Sequence, residues 1–338
     1  MDTLKALIVG AGAMGRAWGK NMRDCGQVEI VGWVDVRPDA AVQAAAALAL
    51  RGVHIGPDLE TAIATARPDF VVDVSPPEAH RDVTVQALAA GLPVLGEKPM
   101  ADSMAHAREM VAAAERAGKL YMVSQNRRDD PNLHALRRLI VEHIGTLGIL
   151  NADFYMGEHY GGFRSEMDSP LLVDMAIHTL DAARYLSGAD PVAVYCEEFN
   201  PPWSWYRGNA CATAVFEMTG GLRFTYRGSR CSEGRPTTWD AEWRAVGPLG
   251  TATWDGRGTP VADVVVAPDG VFSRTVARIG NVVADRPSGI AGTLHDFLHA
   301  LTTGATPLTE CHDNIKSLAM VCSAIESAAT GRRVTITV

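Results

Sequence analysis

Two short stretches carry side chains of the types and spacing needed to move a proton. "LLVDMAIHTLDAARYL" at 171–186 holds Asp174 and His178, and "GEKPM" at 96–100 holds Glu97 and Lys98. Residues four apart on an α-helix differ by about 40° in direction and about 6 Å in height, so Asp174 and His178 share a face with Asp181 and Tyr185. Leu172, Met175, Ala176, Ala183 and Leu186 form the opposite stripe, suited to burial. Ser169 and Pro170 read as the N-cap and first residue of this helix. An imidazole can take a proton from a hydroxyl, a carboxylate can orient the ring or the substrate, and an ammonium can stabilise the alkoxide that forms. The helix alone leaves three readings open: a solvated face, a metal site, or an acid/base pair.

The metal reading finds little support. Asp174 and His178 supply two ligands, and "HDFLH" at 295–299 resembles H-E-x-x-H with Asp in the place of Glu. Neither stretch has an evident third ligand, so no metal is expected, and His295 and His299 read as a surface pair.

A dinucleotide site is better marked. "GAGAMG" at 10–15 places Gly10, Gly12 and Gly15 in the G-x-G-x-x-G positions, with Ala13 and Met14 opening the helix that follows. The glycines bend the turn, admit a diphosphate to the backbone and seat the helix on the sheet. Asp35 stands 20 residues past Gly15, at the end of the second apolar run. Its carboxylate can accept both ribose hydroxyls, which favours NAD; Arg37 could instead pair with a ribose phosphate, which leaves NADP open. "DVSPPEAH" at 73–80 ends another strand and offers Ser75, Pro76 and His80 to the same crevice, where Glu97 and Lys98 also fall.

The elements that must hold these residues follow a clear order. Through about residue 125, apolar Val- and Ile-rich runs alternate with Ala-rich helical stretches, the β-α-β pattern of a doubly wound parallel Rossmann sheet. Beyond that the period changes. From 192 to about 276, strand-like runs alternate with Gly- and Pro-containing turns, so an α+β domain on an open, mostly antiparallel sheet is expected. The boundaries read as 1–125 for dinucleotide binding and 126–338 for substrate binding and oligomerisation, with the last helices able to pack back on the first domain.

The motifs in order, "GAGAMG", "SPPEAH", "EKP" and "DMAIHTLD", resemble the glucose-fructose oxidoreductase, inositol dehydrogenase and rhizopine catabolism (Gfo/Idh/MocA) family over about residues 4–186. The resemblance implies a Rossmann domain followed by an α/β domain whose open sheet often dimerises through its outer face. It also implies NAD- or NADP-dependent oxidation of a secondary or anomeric hydroxyl on a sugar or cyclitol. The family's EKP lysine maps onto Lys98, and its helical Asp and His onto Asp174 and His178. Glu97 and Lys98 are implied to lie near the nicotinamide, and Asn126 falls where the family's active-site Asn-Arg-Arg segment lies. Family members often have a Gly-rich run before the Asp; this chain has "SPLLVD".

"GEHYGGFRSEMDSP" at 157–170 offers His159, Tyr160 and Arg164 to hydroxyls or a carboxylate. With Lys98, Asn126, Asp174 and His178 these are the expected substrate contacts. Trp203 and Trp205 fit a pocket cap or a subunit contact equally, whereas Trp239 and Trp243 read as sheet packing or interface. A formal charge of −8 without a basic surface stretch argues against nucleic acid, and no apolar run is long enough to cross a bilayer. The N-terminus enters a strand at once, without room for a secretory leader, so a cytoplasmic protein is expected. Its six cysteines form no CxxC pair and read as reduced thiols. The expectation is a cytoplasmic homodimer or homotetramer that dehydrogenates a carbohydrate or cyclitol. The alternatives are a keto-sugar reductase and a nicotinamide-sensing regulator without turnover.

Overall fold

The computed structural model describes residues 3–267 and 271–338, which divide into two compact units. The first comprises residues through Asn126 together with Pro287–Ile315, and the second comprises Arg127–Arg286 and Lys316–Val338.

In the first unit, β1 (Leu4–Val9), α1 (Ala13–Cys25), β2 (Val28–Val34), α2 (Pro38–Ala47) and β3 (His54–Gly56) make the first half of the Rossmann sheet. Then come α3 (Leu59–Ala66), β4 (Phe70–Asp73), α4 (Pro77–Ala89), β5 (Val94–Gly96), α5 (Met104–Ala117) and β6 (Tyr121–Val123). The six strands are all parallel, in the order β3-β2-β1-β4-β5-β6. The order reverses between β1 and β4, and ligands of such sheets bind beyond the carboxyl ends of strands at such a point. Strands covered on both faces read as apolar runs, as "FVV" of β4 and "VLG" of β5 do, and every residue of both strands is buried, Asp73 at the end of β4 included.

One part of this core comes from the far end of the chain. Leu294, Phe297 and Leu298 bury with Trp18, Phe70 and Leu95, and the Phe70 and Phe297 rings lie 5.3 Å apart. The first unit is therefore discontinuous in sequence, which an apolar helix face cannot announce because it does not name its partner.

The second unit begins with α6 (Pro131–Leu139), capped by Asp130, whose carboxylate accepts from the Asn132 and Leu133 amides. β7 (Ile149–Tyr155) follows, then the short helix α7 (Phe163–Glu166) and the helix that opened the sequence reading, α8 (Ile177–Ser187). Strands β8 (Pro191–Phe199), β9 (Cys211–Met218), β10 (Arg223–Ser229), β11 (Glu242–Gly247) and β12 (Gly250–Trp254) lead to β13 (Val261–Ala267) and β14 (Arg274–Ile279). α9 (Gly289–Thr303) belongs to the first unit, α10 (Cys311–Thr330) starts there and ends in the second, and β15 is Val334–Thr335. The nine strands run β14-β13-β12-β11-β7-β10-β9-β8-β15, antiparallel except for the parallel pair β7 and β10. Alternation is clean on β9, where Ala212, Ala214, Phe216 and Met218 are buried and Thr213 and Val215 are exposed.

Among the described residues, no helix is long and apolar enough to cross a membrane. The cysteines are less scattered than their spacing suggests: Cys211 and Cys231 meet with sulfurs 3.7 Å apart beside Tyr206.

Candidate active site

The glycine turn of the first unit is tight where the sequence demands it and open where a ligand would need room. Gly10 has φ of 105°, and a Cβ there would lie 2.6 Å from the Val74 carbonyl oxygen. A Cβ on Gly15 would lie 2.1 Å from the Gly10 carbonyl oxygen, so only glycine lets α1 seat against the turn. A Cβ on Gly12 would meet nothing within 4 Å. Gly12 caps α1 without any side-chain bond, and Ala13 and Met14 form its first turn, where free backbone N–H groups favour an anion.

Asp35 follows β2 and is largely buried. Its Oδ2 accepts from the Ala11 amide at 2.7 Å and its Oδ1 from the Arg37 amide at 2.8 Å, which fixes the carboxylate while each oxygen keeps a further lone pair. The Arg37 side chain is exposed, its Nε 3.9 Å from Asp35. This combination of open glycine cradle and fixed carboxylate fits the diphosphate and ribose of a dinucleotide.

The next carboxyl ends are tied together by buried groups. Asp73 Oδ1 accepts from the Ser75 hydroxyl at 2.6 Å, and burial pushes the Asp73 carboxyl up. Pro76 caps α4. His80 is buried, with its ring nitrogens facing the carbonyls of Pro99 at 3.0 Å and Ser75 at 2.7 Å. The ring that sequence offered to the cofactor thus braces two loops of its edge. Glu97 accepts from the Trp18 indole at 2.7 Å and from the Lys98 amide at 3.1 Å, and burial raises its pKa. Lys98 is half-buried at the carboxyl end of β5, and its peptide bond to Pro99 is cis. Past β6, both amide atoms of Gln125 and Oδ1 of Asn126 are buried and bond to none of the described residues, leaving capacity for water or ligand.

In the second unit, the helix differs from its sequence reading in three ways. First, Leu171–Ala176 form a π-helical turn that runs into α8. Such turns tolerate a wider backbone where side chains must be re-aimed, and periodicity does not show them. Second, the Ser169 hydroxyl does not cap the helix but donates to Glu198 at 3.0 Å; only the Ser169 carbonyl takes the first helical bond, from the Val173 amide. Burial pushes the Glu198 carboxyl up to about 7. Third, the polar face is buried and divided among several partners.

Asp174 lies between two arginines. Its Oδ2 accepts from Arg230 Nη1 at 2.8 Å and from Arg164 Nε at 2.9 Å. Arg230 is 0% exposed, also pairs with Glu158, donates to the Pro170 carbonyl and lies 5.3 Å from the Tyr206 ring centre. Asp181 is a structural anion: Arg128 grips it with bonds of 2.7 and 2.8 Å, and the Ser317 hydroxyl adds a third at 2.7 Å. Tyr185 lies under the Arg137 guanidinium at 4.5 Å.

His178 faces a pocket walled by Trp239, Trp243 and Trp254, with Thr179 and the ion-paired Arg127 and Asp240. Burial raises the Asp240 pKa. Trp243 is buried on β11 with its ring 6.3 Å from Phe224, and Trp239 lies 6.3 Å from Phe154, the sheet packing read from sequence; both also line this pocket. Tyr160 stacks near Trp239 at 6.3 Å. His159 stacks on Trp205 at 3.8 Å and pairs with the exposed Glu233 at 2.9 Å. Arg230, Glu158, Asp240 and Trp254 carry no motif, and sequence reasoning missed them.

Outside this cluster, His295 and His299 are a parallel ring pair on α9, 6.5 Å apart. Among the described residues, Glu310, Cys311 and His312 bring three metal-capable atoms together, already bonded to one another and to Glu115.

Residues 4–125 match the oxidoreductase family with an NAD-binding Rossmann fold, and residues 133–253 match the GFO/IDH/MocA C-terminal domain. The chain belongs to the Gfo/Idh/MocA oxidoreductases. It is 27% identical to D-apiose dehydrogenase of Paraburkholderia graminis, across 98% of this chain and 89% of that protein. An inositol 2-dehydrogenase of Corynebacterium glutamicum is 31% identical over 197 residues, 57% of this chain and 56% of that one. An oxidoreductase from Agrobacterium radiobacter, solved with NAD+, L-tartaric acid and magnesium, shares the fold with a TM-score of 0.85 at 22% identity, covering 98% of each chain. As a member of this family the chain is an NAD-binding oxidoreductase.

Proposed function

We propose that this oxidoreductase is an NAD-dependent dehydrogenase of a secondary or anomeric hydroxyl on a sugar, polyol or cyclitol. The observation that carries the reading is His178 on the wall of an aromatic pocket, on the helix whose Asp174 is fixed by two arginines. The relatives named for D-apiose and inositol point to that substrate class.

His178 removes the hydroxyl proton, and Lys98 stabilises the charge left on oxygen. Asp174 acts as a fixed anion and not as a proton carrier, because guanidinium bonds from Arg230 and Arg164 favour its charged form. Bound NAD supplies the hydride acceptor. Asp35 selects the ribose hydroxyls of NAD; exposed Arg37 is the residue through which NADP would be accepted. Asn126 joins the substrate contacts through its buried amide oxygen. The subunits associate through the open sheet, where Tyr195 and Val215 stand as an exposed cross-strand pair.

The test is nicotinamide absorbance with NAD or NADP against aldoses, polyols and inositols, using wild type, Lys98→Met and His178→Ala. Each substitution lowers turnover roughly a hundred- to ten-thousandfold while NAD affinity holds. Unchanged turnover in both variants sinks the acid/base assignment, and NAD binding without any turnover favours the sensing regulator. Light scattering on the eluting protein reads the oligomer.

A further inference from the structure

We infer that Arg164 is a receptor for a carboxylate, so that the substrate is a sugar acid such as an aldonate or uronate and not a neutral sugar. The inference rests on the dehydrogenase reading above and narrows its substrate class.

The two arginines on Asp174 are used differently. Arg230 is fully buried and its donors go to Asp174, Glu158 and the Pro170 carbonyl. Arg164, on the short helix α7, is 34% exposed and commits only its Nε to Asp174. Among the described residues, neither of its terminal nitrogens makes a hydrogen bond, so one edge of the guanidinium, with two parallel N–H donors, is presented outward. The plane of that edge is held by the Phe163 ring, 4.7 Å from the guanidinium carbon, and by Tyr160 at 5.8 Å. A guanidinium fixed by one ion pair and two rings loses little further freedom when it binds, and its geometry matches a carboxylate in two-point contact.

The surroundings say what else the ligand carries. Tyr160 is 63% and Phe163 66% exposed, an unusual display of aromatic surface next to a charged group. Tyr160 in turn lies against Trp239, which belongs to the wall of the His178 pocket. Guanidinium edge, ring platform and His178 pocket are thus linked by successive contacts within one unit. A molecule that fits all three has a carboxylate, an apolar ring or chain face, and an oxidisable carbinol. Asp174 already balances the charge of Arg164, which favours a monoanionic carboxylate over a dianionic phosphate ester.

The experiment compares D-gluconate and D-galacturonate with D-glucose, D-galactose and myo-inositol, for wild type, Arg164→Met and Arg164→Lys. Both kcat/KM with NAD and direct calorimetric binding to the NAD-saturated protein are read. Wild type prefers an acid, and Arg164→Met reduces the acid-to-neutral ratio of kcat/KM by about 10- to 100-fold, the worth of charge-assisted hydrogen bonds. Arg164→Lys keeps the charge but not the two-point geometry and falls between them. A preference for neutral substrates, or an acid-to-neutral ratio unmoved in Arg164→Met, overturns the inference. Should nothing be turned over, the dehydrogenase reading fails by itself and calorimetry still decides here: acid binding weakened in Arg164→Met sustains the carboxylate receptor, and acid binding absent or unaffected removes it. Thermal melting of each variant shows whether a loss reflects unfolding.

Discussion

The glycine turn at 10–15 and the charged cluster around Asp174 both set polar groups against a protein interior, with opposite materials. The turn uses backbone: glycines make room, helix N–H groups face outward, and a single carboxylate, Asp35, follows one helix and one strand later. The cluster uses side chains drawn from positions 158, 164, 174 and 230, on two helical elements and two loops. Backbone sites are compact in sequence because the peptide groups they use are consecutive. Side-chain sites are not, since any element that reaches the place can contribute. The first kind also tolerates change poorly at the glycines and freely elsewhere, whereas the second depends on every charge having its partner.

The largest effect that separates the two is expected at Arg230. Removing it in Arg230→Met leaves Asp174 and Glu158 with buried charge, at a cost of roughly 3–5 kcal/mol in stability. Chemical denaturation reads this directly. A loss below 1 kcal/mol would mean that water, not the guanidinium, solvates both carboxylates.

The turn should fail through binding. Gly15→Ala pushes a Cβ to 2.1 Å from the Gly10 carbonyl, and NAD affinity drops on the order of 100-fold, about 2.7 kcal/mol. Gly12→Ala meets no protein atom within 4 Å, so its melting temperature should match wild type. If its NAD affinity nevertheless falls in fluorescence titration, the vacant space is the ligand's.

The smallest expected effect lies beside the charged cluster. Burial raises the Glu198 carboxyl from 4.5 to about 7, with the Ser169 hydroxyl bond working against it. A carboxyl whose folded pKa is raised favours the native state while protonated; its contribution is complete below about 4.5 and is lost as pH rises through 7. Glu198→Gln should remove roughly 1–2 kcal/mol of the fall in stability across that window, allowing for partial solvent screening. Denaturation curves at both ends of the window measure it, and an unchanged slope would show that Glu198 stays ionised throughout.

What the sequence made legible follows the same division. The parallel strands, the glycine positions and Asp35 were readable because each depends on neighbours within a few tens of residues. The helix carrying Asp174 and His178 was also visible, but its surroundings were not. Nothing in "RGSRCSEG" marks Arg230 as the partner of a carboxylate 56 residues earlier, and nothing near Asp181 marks Arg128. The π-helical turn at 171–176 was hidden because a widened turn keeps an apolar pattern that an α-helix also satisfies. The stacking of His159 on Trp205 was hidden because a polar residue in a loop does not name its aromatic neighbour.

The contribution of α9 to the first unit bears on how the protein is made. Trp18 and Phe70 leave the ribosome well before Phe297 and Leu298, which complete the packing around them and lie more than 200 residues further along the chain. The six-stranded sheet can assemble on the ribosome, but one flank of its core stays uncovered until α9 has been released. A nascent chain stalled after Arg286 would carry a complete glycine turn and a sticky apolar flank, the form of this protein that most needs a chaperone.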